Sequence, residues 1–157
     1  MPECHHCSVV PLFRLYNQSA KDHFYTTSAQ ERDNALVSIG YGNEGIAAYV
    51  FPEAVNGAIP LYRLYSAGRK DHFYTTNAQE RDNAASKIGY TNEDIAAFIY
   101  PDARHGTVPL YRMSSPSALD HFYTTNAVEK DNAVSKLGYL DEGITGYVNP
   151  GKHAQGC

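Results

Sequence analysis

Three segments led by proline, "PLFRLY" at Pro11, "PLYRLY" at Pro60 and "PLYRMS" at Pro109, alternate aromatic or aliphatic residues with an arginine. Proline suits the first residue of a strand and the rest favours extended chain, so each segment predicts a strand. A short polar loop follows ("NQSAK", "SAGRK" or "SPSAL") and then "HFYTT", whose aromatic and β-branched residues predict a second strand paired with the first in a hairpin. Next, Ser28, Asn77 and Asn126 stand three residues before Glu31, Glu80 and Glu129, the spacing of a capping box. Ala35, Leu36 and Ile39 fall on one face of the helix this predicts, and Gly40, Gly89 and Gly138 sit where a left-handed C-terminal cap belongs. "IAAYVF", "IAAFIY" and "ITGYVN" predict a last strand before a closing proline.

The pattern recurs with an offset of 49 residues and without insertion or deletion, giving repeats 11–52, 60–101 and 109–150. Each repeat is one supersecondary unit that must bury its apolar face against its neighbours. Three equal units on linkers such as "EAVNGAI" predict a closed pseudo-threefold domain spanning 1–157, mainly β with one short helix per repeat. Two arrangements satisfy this, a β-trefoil-like one and an α+β ring of ββαβ units.

Composition narrows the partners. Thirteen Lys and Arg against seventeen Asp and Glu leave a net charge of −4, mixed along the chain instead of gathered in a basic stripe. Nucleic acid and anionic membranes are therefore not expected as partners, and no apolar run is long enough for membrane insertion. The start, "MPECHHCSVV", lacks the pattern of a secretory signal, so the expectation is a cytoplasmic chain, one already processed, or export by another route. Cys4, Cys7 and Cys157 lie outside the repeats, where a bridge between the two ends would staple a closed ring. Four consecutive residues, Cys4 to Cys7, cannot easily converge on one ion, so no metal and no cofactor are expected.

The candidate chemistry lies in "DHFYTT". Neighbouring strand residues point to opposite faces, so Asp22 shares a face with Phe24, while His23 shares one with Tyr25. Asp22 and His23 are thus not a catalytic dyad, and no nucleophile recurs in all three copies, so no enzyme is expected. Packing alone explains Leu61, Phe73, Ala84, Ile88 and Ile95, and Arg14, Arg63 and Arg112 are expected to pair with a carboxylate such as Asp33, Asp82 or Asp131. What packing leaves over is a group of polar side chains beside a tyrosine in every copy. The expected ligand-binding residues are Asp22, His23, Tyr25, Asn43 and Glu44; Asp71, His72, Tyr74, Asn92 and Glu93; and Asp120, His121, Tyr123, Asp141 and Glu142. Asn and Glu of each set are placed in the turn before the last strand.

Aromatic faces beside hydroxyl-binding groups suit sugars, and three weak sites on one rigid body give avidity toward glycans or glycoproteins. The leading expectation is a multivalent lectin. A protein-interaction or hydrolase-inhibitor module using the variable loops comes second, a glycoside hydrolase third, and homo-oligomerisation is left open. Met113, Ser114, Leu119 and Asn149 set the third copy apart and predict an altered site there.

At "PLYRLY…DHFYTT…ERDNA…GYTNEDIAAFIYP" the chain resembles a tandem-repeat family of unknown function. That family occurs in fungal and bacterial proteins, often secreted and sometimes appended to hydrolases. The resemblance covers nearly the whole chain and implies no ligand or catalytic residue. In general plan, three repeats in one small domain, the chain is also similar to small fungal lectins.

Overall fold

The computed structural model describes residues 8–55 and 57–152. Unit 1 comprises β1 (Val10–Asn17), β2 (Asp22–Thr26), α1 (Ala29–Ser38) and β3 (Gly42–Val50). Unit 2 repeats it with β4 (Ile59–Ser66), β5 (Asp71–Thr75), α2 (Ala78–Lys87) and β6 (Thr91–Ile99). Unit 3 does so with β7 (Val108–Ser115), β8 (Asp120–Thr124), α3 (Ala127–Lys136) and β9 (Leu140–Val148). Each unit is a three-stranded antiparallel sheet, ordered β2-β1-β3 in unit 1 and equivalently in the others. The chain is mainly β with one short helix per unit, as expected. The sheets remain three separate sheets and do not close into a barrel, so the ring of ββαβ units is the arrangement adopted.

The second strand of each sheet is covered on both faces, which explains why consecutive residues of "HFYTT" are apolar. In β2, Phe24 packs under the helix with Leu15 and Ala35, while Tyr25 points to the ring axis with Leu12 and Val50. Leu12 and Leu15 are three residues apart and so reach opposite faces, as strand alternation requires. The helix presents Ala35 alone as a buried residue, and so small a side chain lets it lie close to the sheet. Ser28 accepts a hydrogen bond from the Glu31 N–H at 3.1 Å, and Gly40 closes the helix with φ +82° while the Tyr41 N–H reaches the Ala35 carbonyl. Only half of the capping box forms: the Glu31 carboxylate turns away to Thr26 and to the next unit.

The ring closes through bridges between successive units, Phe51 with Phe98, Tyr100 with Tyr147 and Tyr49 with Asn149. Ile88 and Ile95 correct the expected core, being 44% and 46% exposed, and Ile39 at the end of the first helix is 55% exposed. Ile39 and Ile88 cap helices whose ends face outward, and Ile95 lies on the outer half of its strand. Among the described residues no helix is long and apolar enough to cross a membrane. The cysteine bridge expected from Cys4, Cys7 and Cys157 lies outside the described residues.

Candidate functional site

The ring axis takes one expected ligand residue from each unit. Tyr25, Tyr74 and Tyr123 are 1% exposed, and their rings meet edge to face at 5.4 to 5.5 Å. Each hydroxyl donates to the next tyrosine's carbonyl and accepts from that residue's N–H: Tyr25 Oη lies 2.7 Å from the Tyr123 carbonyl and 2.8 Å from its amide. Burial raises all three phenols well above their usual range, so they stay neutral donors. The expected His and Tyr face exists, but it turns toward the axis and the neighbouring unit, and its tyrosine cannot reach a ligand.

Asp22, Asp71 and Asp120 are also buried, and each is spent on the seam with the following unit. Asp22 accepts from the His72 amide at 2.8 Å, from His72 Nδ1 at 2.6 Å and from Tyr41 Oη at 2.5 Å. Asp71 does the same for His121 and Tyr90, and Asp120 for His23 and Tyr139. Each carboxyl already accepts from an amide and a phenol, and the ring Nδ1 is the donor of the third bond. The aspartate and histidine adjacent in sequence thus do not pair with one another, while each pairs with its counterpart in another unit.

Above these pairs runs a cleft at every seam. In the cleft between units 3 and 1, His23 lies between Tyr16 and Phe122, with centroids 4.5 Å from each. His72 lies likewise between Tyr65 and Phe24 at 4.5 Å. His121 stacks on Phe73 at 4.6 Å, but Ser114 replaces the second aromatic wall. The guanidinium of Arg14 makes a two-pronged bond to Glu129 of unit 3, both at 2.9 Å, and its Nε reaches Glu44 at 3.0 Å. Arg63 joins Glu31 and Glu93, and Arg112 joins Glu80 and Glu142, in the same way. This corrects the expected partners: Asp33 and Asp82 pair with the adjacent Arg32 and Arg81 on exposed helix faces, and Asp131 lies beside Lys130.

Burial pushes the Glu129 carboxyl up, but hydrogen bonds from Arg14 and Thr124 and the guanidinium charge outweigh it, leaving it below its usual range. Glu31 and Glu80 are lowered for the same reasons. Burial, reinforced by the aspartate each contacts, pushes the Tyr41, Tyr90 and Tyr139 hydroxyls up. Each cleft therefore holds fixed charges and neutral phenols beside aromatic surface.

Of the expected ligand residues, His23, His72 and Glu93 line clefts with Glu44, and Glu142 takes the corresponding place on the third. Asn43, Asn92 and Asp141 are exposed, and they lie within the first half of β3, β6 and β9 instead of a preceding turn. Each accepts from the backbone N–H two residues on, at 2.9 Å, which ties it to its own chain. Tyr16, Tyr65, Tyr41, Tyr139 and the Arg–Glu forks were not among the expected site residues. Their signal was present: Arg14, Glu31 and Tyr41 each recur at the 49-residue offset in all three copies.

Residues 11–149 match the family described as Domain of unknown function (DUF5648), and the chain belongs to that family. No curated protein and no solved structure matches it.

Proposed function

We propose that this protein is a non-enzymatic, multivalent carbohydrate-binding protein whose sites are the clefts between neighbouring units. The observation that carries the reading is the cleft between units 3 and 1. It is a hollow of about 720 Å³ in which Tyr16, Phe122 and Tyr139 adjoin the fixed polar groups of Arg14, His23, Glu44 and Glu129. A sugar offers C–H faces to the first group and hydroxyls to the second. Repetition around a rigid ring adds avidity toward surfaces displaying the same glycan many times. A glycoside hydrolase needs a carboxyl raised toward neutrality as its acid, whereas Glu31, Glu80 and Glu129 are held in the opposite direction.

A glycan array probed with the full chain, with haemagglutination inhibited by the sugars that score, tests this reading. Binding that Tyr16→Ala weakens supports it, and a folded sample that binds no glycan refutes it. A second reading, a protein-interaction module, draws on apolar residues exposed on unit 3, Val128 at 69% and Leu137 at 67%. It is favoured if a protein partner is lost in Val128→Ser while glycan binding is absent.

A further inference from the structure

Two of the differences among the three clefts have opposite effects. Each seam has a wall residue from the following unit, which is Tyr16 between units 3 and 1, Tyr65 between units 1 and 2, and Ser114 between units 2 and 3. Each also has an end residue from the preceding unit, next along the chain from that unit's own wall position: Ser115, Asn17 and Ser66 in the same order. Asn17 bridges its hairpin loop to its helix end, with Nδ2 donating to the Ile39 carbonyl at 3.0 Å and Oδ1 accepting from the Ala20 amide at 2.9 Å. Ser115 holds its loop in the same manner, accepting from the Ala118 amide at 3.1 Å, but has no amide arm to span the gap to the helix. The hollow between units 3 and 1 accordingly runs on to Ser115, Ser117 and Ala118 and measures about 720 Å³, against about 290 Å³ between units 1 and 2.

Only the seam between units 3 and 1 combines an aromatic wall with an open end. The extension keeps the apolar character of its counterpart at Leu137, where unit 1 has Ile39, and at the start of α3 Val128 stands where unit 1 has Gln30. The cleft thus runs along α3, with Arg14, Glu44 and Val128 toward the helix start at Glu129 and Ser115, Ala118 and Leu137 toward its end. The volume falls within the range of about 300–1,000 Å³ typical of small-molecule sites and exceeds what one sugar ring needs.

We infer that the cleft between units 3 and 1 is the principal ligand site and takes a glycoside whose aglycone is apolar or aromatic. The sugar lies beside Tyr16 and His23, and the aglycone enters the extension that Ser115 leaves open. This inference rests on the carbohydrate-binding reading and adds to it the class of ligand and the inequality of the sites.

Isothermal titration of the full chain with paired methyl and 4-nitrophenyl glycosides of glucose, galactose, mannose and N-acetylglucosamine tests it. The expected result is one principal site per chain that binds a 4-nitrophenyl glycoside at least tenfold more tightly than its methyl partner. Ser115→Asn, which copies Asn17, should remove that preference, whereas Ser66→Asn at the seam between units 2 and 3 should leave it unchanged. Thermal unfolding of both variants verifies that they fold. Equal binding of methyl and 4-nitrophenyl glycosides, or wild-type binding by Ser115→Asn, overturns the inference and leaves the carbohydrate reading standing. Failure of every glycoside to bind overturns both.

Discussion

His72 Nδ1 donates to Asp22 Oδ2 at 2.6 Å across the boundary between units 1 and 2, and the same bond closes the other two seams. Asp22 is fully buried, and both its oxygens accept hydrogen bonds from His72 or Tyr41. Asp22→Ala leaves a half-buried imidazole and a half-buried phenol without their acceptor, a loss of about 1–3 kcal/mol. Urea unfolding at neutral pH measures this, and a loss below about 1 kcal/mol would show that the seam does not depend on the carboxylate.

The tyrosine ring at the axis behaves as a unit. Tyr25→Phe preserves the ring packing but leaves the Tyr123 amide buried without its acceptor, a loss of about 1–3 kcal/mol. Tyr74→Ala, which a sugar-contact role would make a mild change, instead opens the core and costs about 3–5 kcal/mol. Equilibrium denaturation of the two variants distinguishes these roles, and a Tyr74→Ala protein of wild-type stability would contradict the axial assignment.

At the positions equivalent to Phe51 and Tyr100, unit 3 carries Asn149, which is 1% exposed. Its amide atoms and the Tyr100 hydroxyl find no hydrogen-bond partner among the described residues. Asn149→Phe extends the edge-to-face contact of Phe51 with Tyr100 and removes unpaired buried polar atoms, so it should stabilise by about 1–3 kcal/mol. A lowered melting temperature would refute this.

Glu31, Glu80 and Glu129 have folded-state values below their ordinary 4.5. The unfolded chain therefore takes up protons first as the pH falls. The contribution of these carboxylates is complete above pH 4.5 and is lost as the pH drops through the lowered folded values. The stability gap between wild type and Glu129→Gln should be full at neutral pH and shrink as the pH falls below the ordinary 4.5. A gap independent of pH would contradict the role given to the Arg14 fork.

Much of the fold was legible because it is local. Proline-led strands, Ser28 and Asn77 as N-caps and Gly40 at the helix end all act within a few residues, and the 49-residue offset exposed the ring. The site was less legible because its bonds run between units. Strand alternation correctly separated Asp22 from His23, but nothing local shows that Asp22 meets His72 or that Arg14 reaches Glu129. The same alternation placed His23 beside Tyr25 without revealing which face the ring turns inward. Arg14 was assigned to Asp33 for charge alone, although Asp33 lies on an exposed helix face beside Arg32.

The most direct test of cleft binding is a crystal structure of the full chain soaked with the glycosides that score on the array. The account predicts a sugar against Tyr16 and His23 in the cleft between units 3 and 1. Ligand confined to the hairpin loops or to the outer helix faces, with that cleft empty, would contradict it.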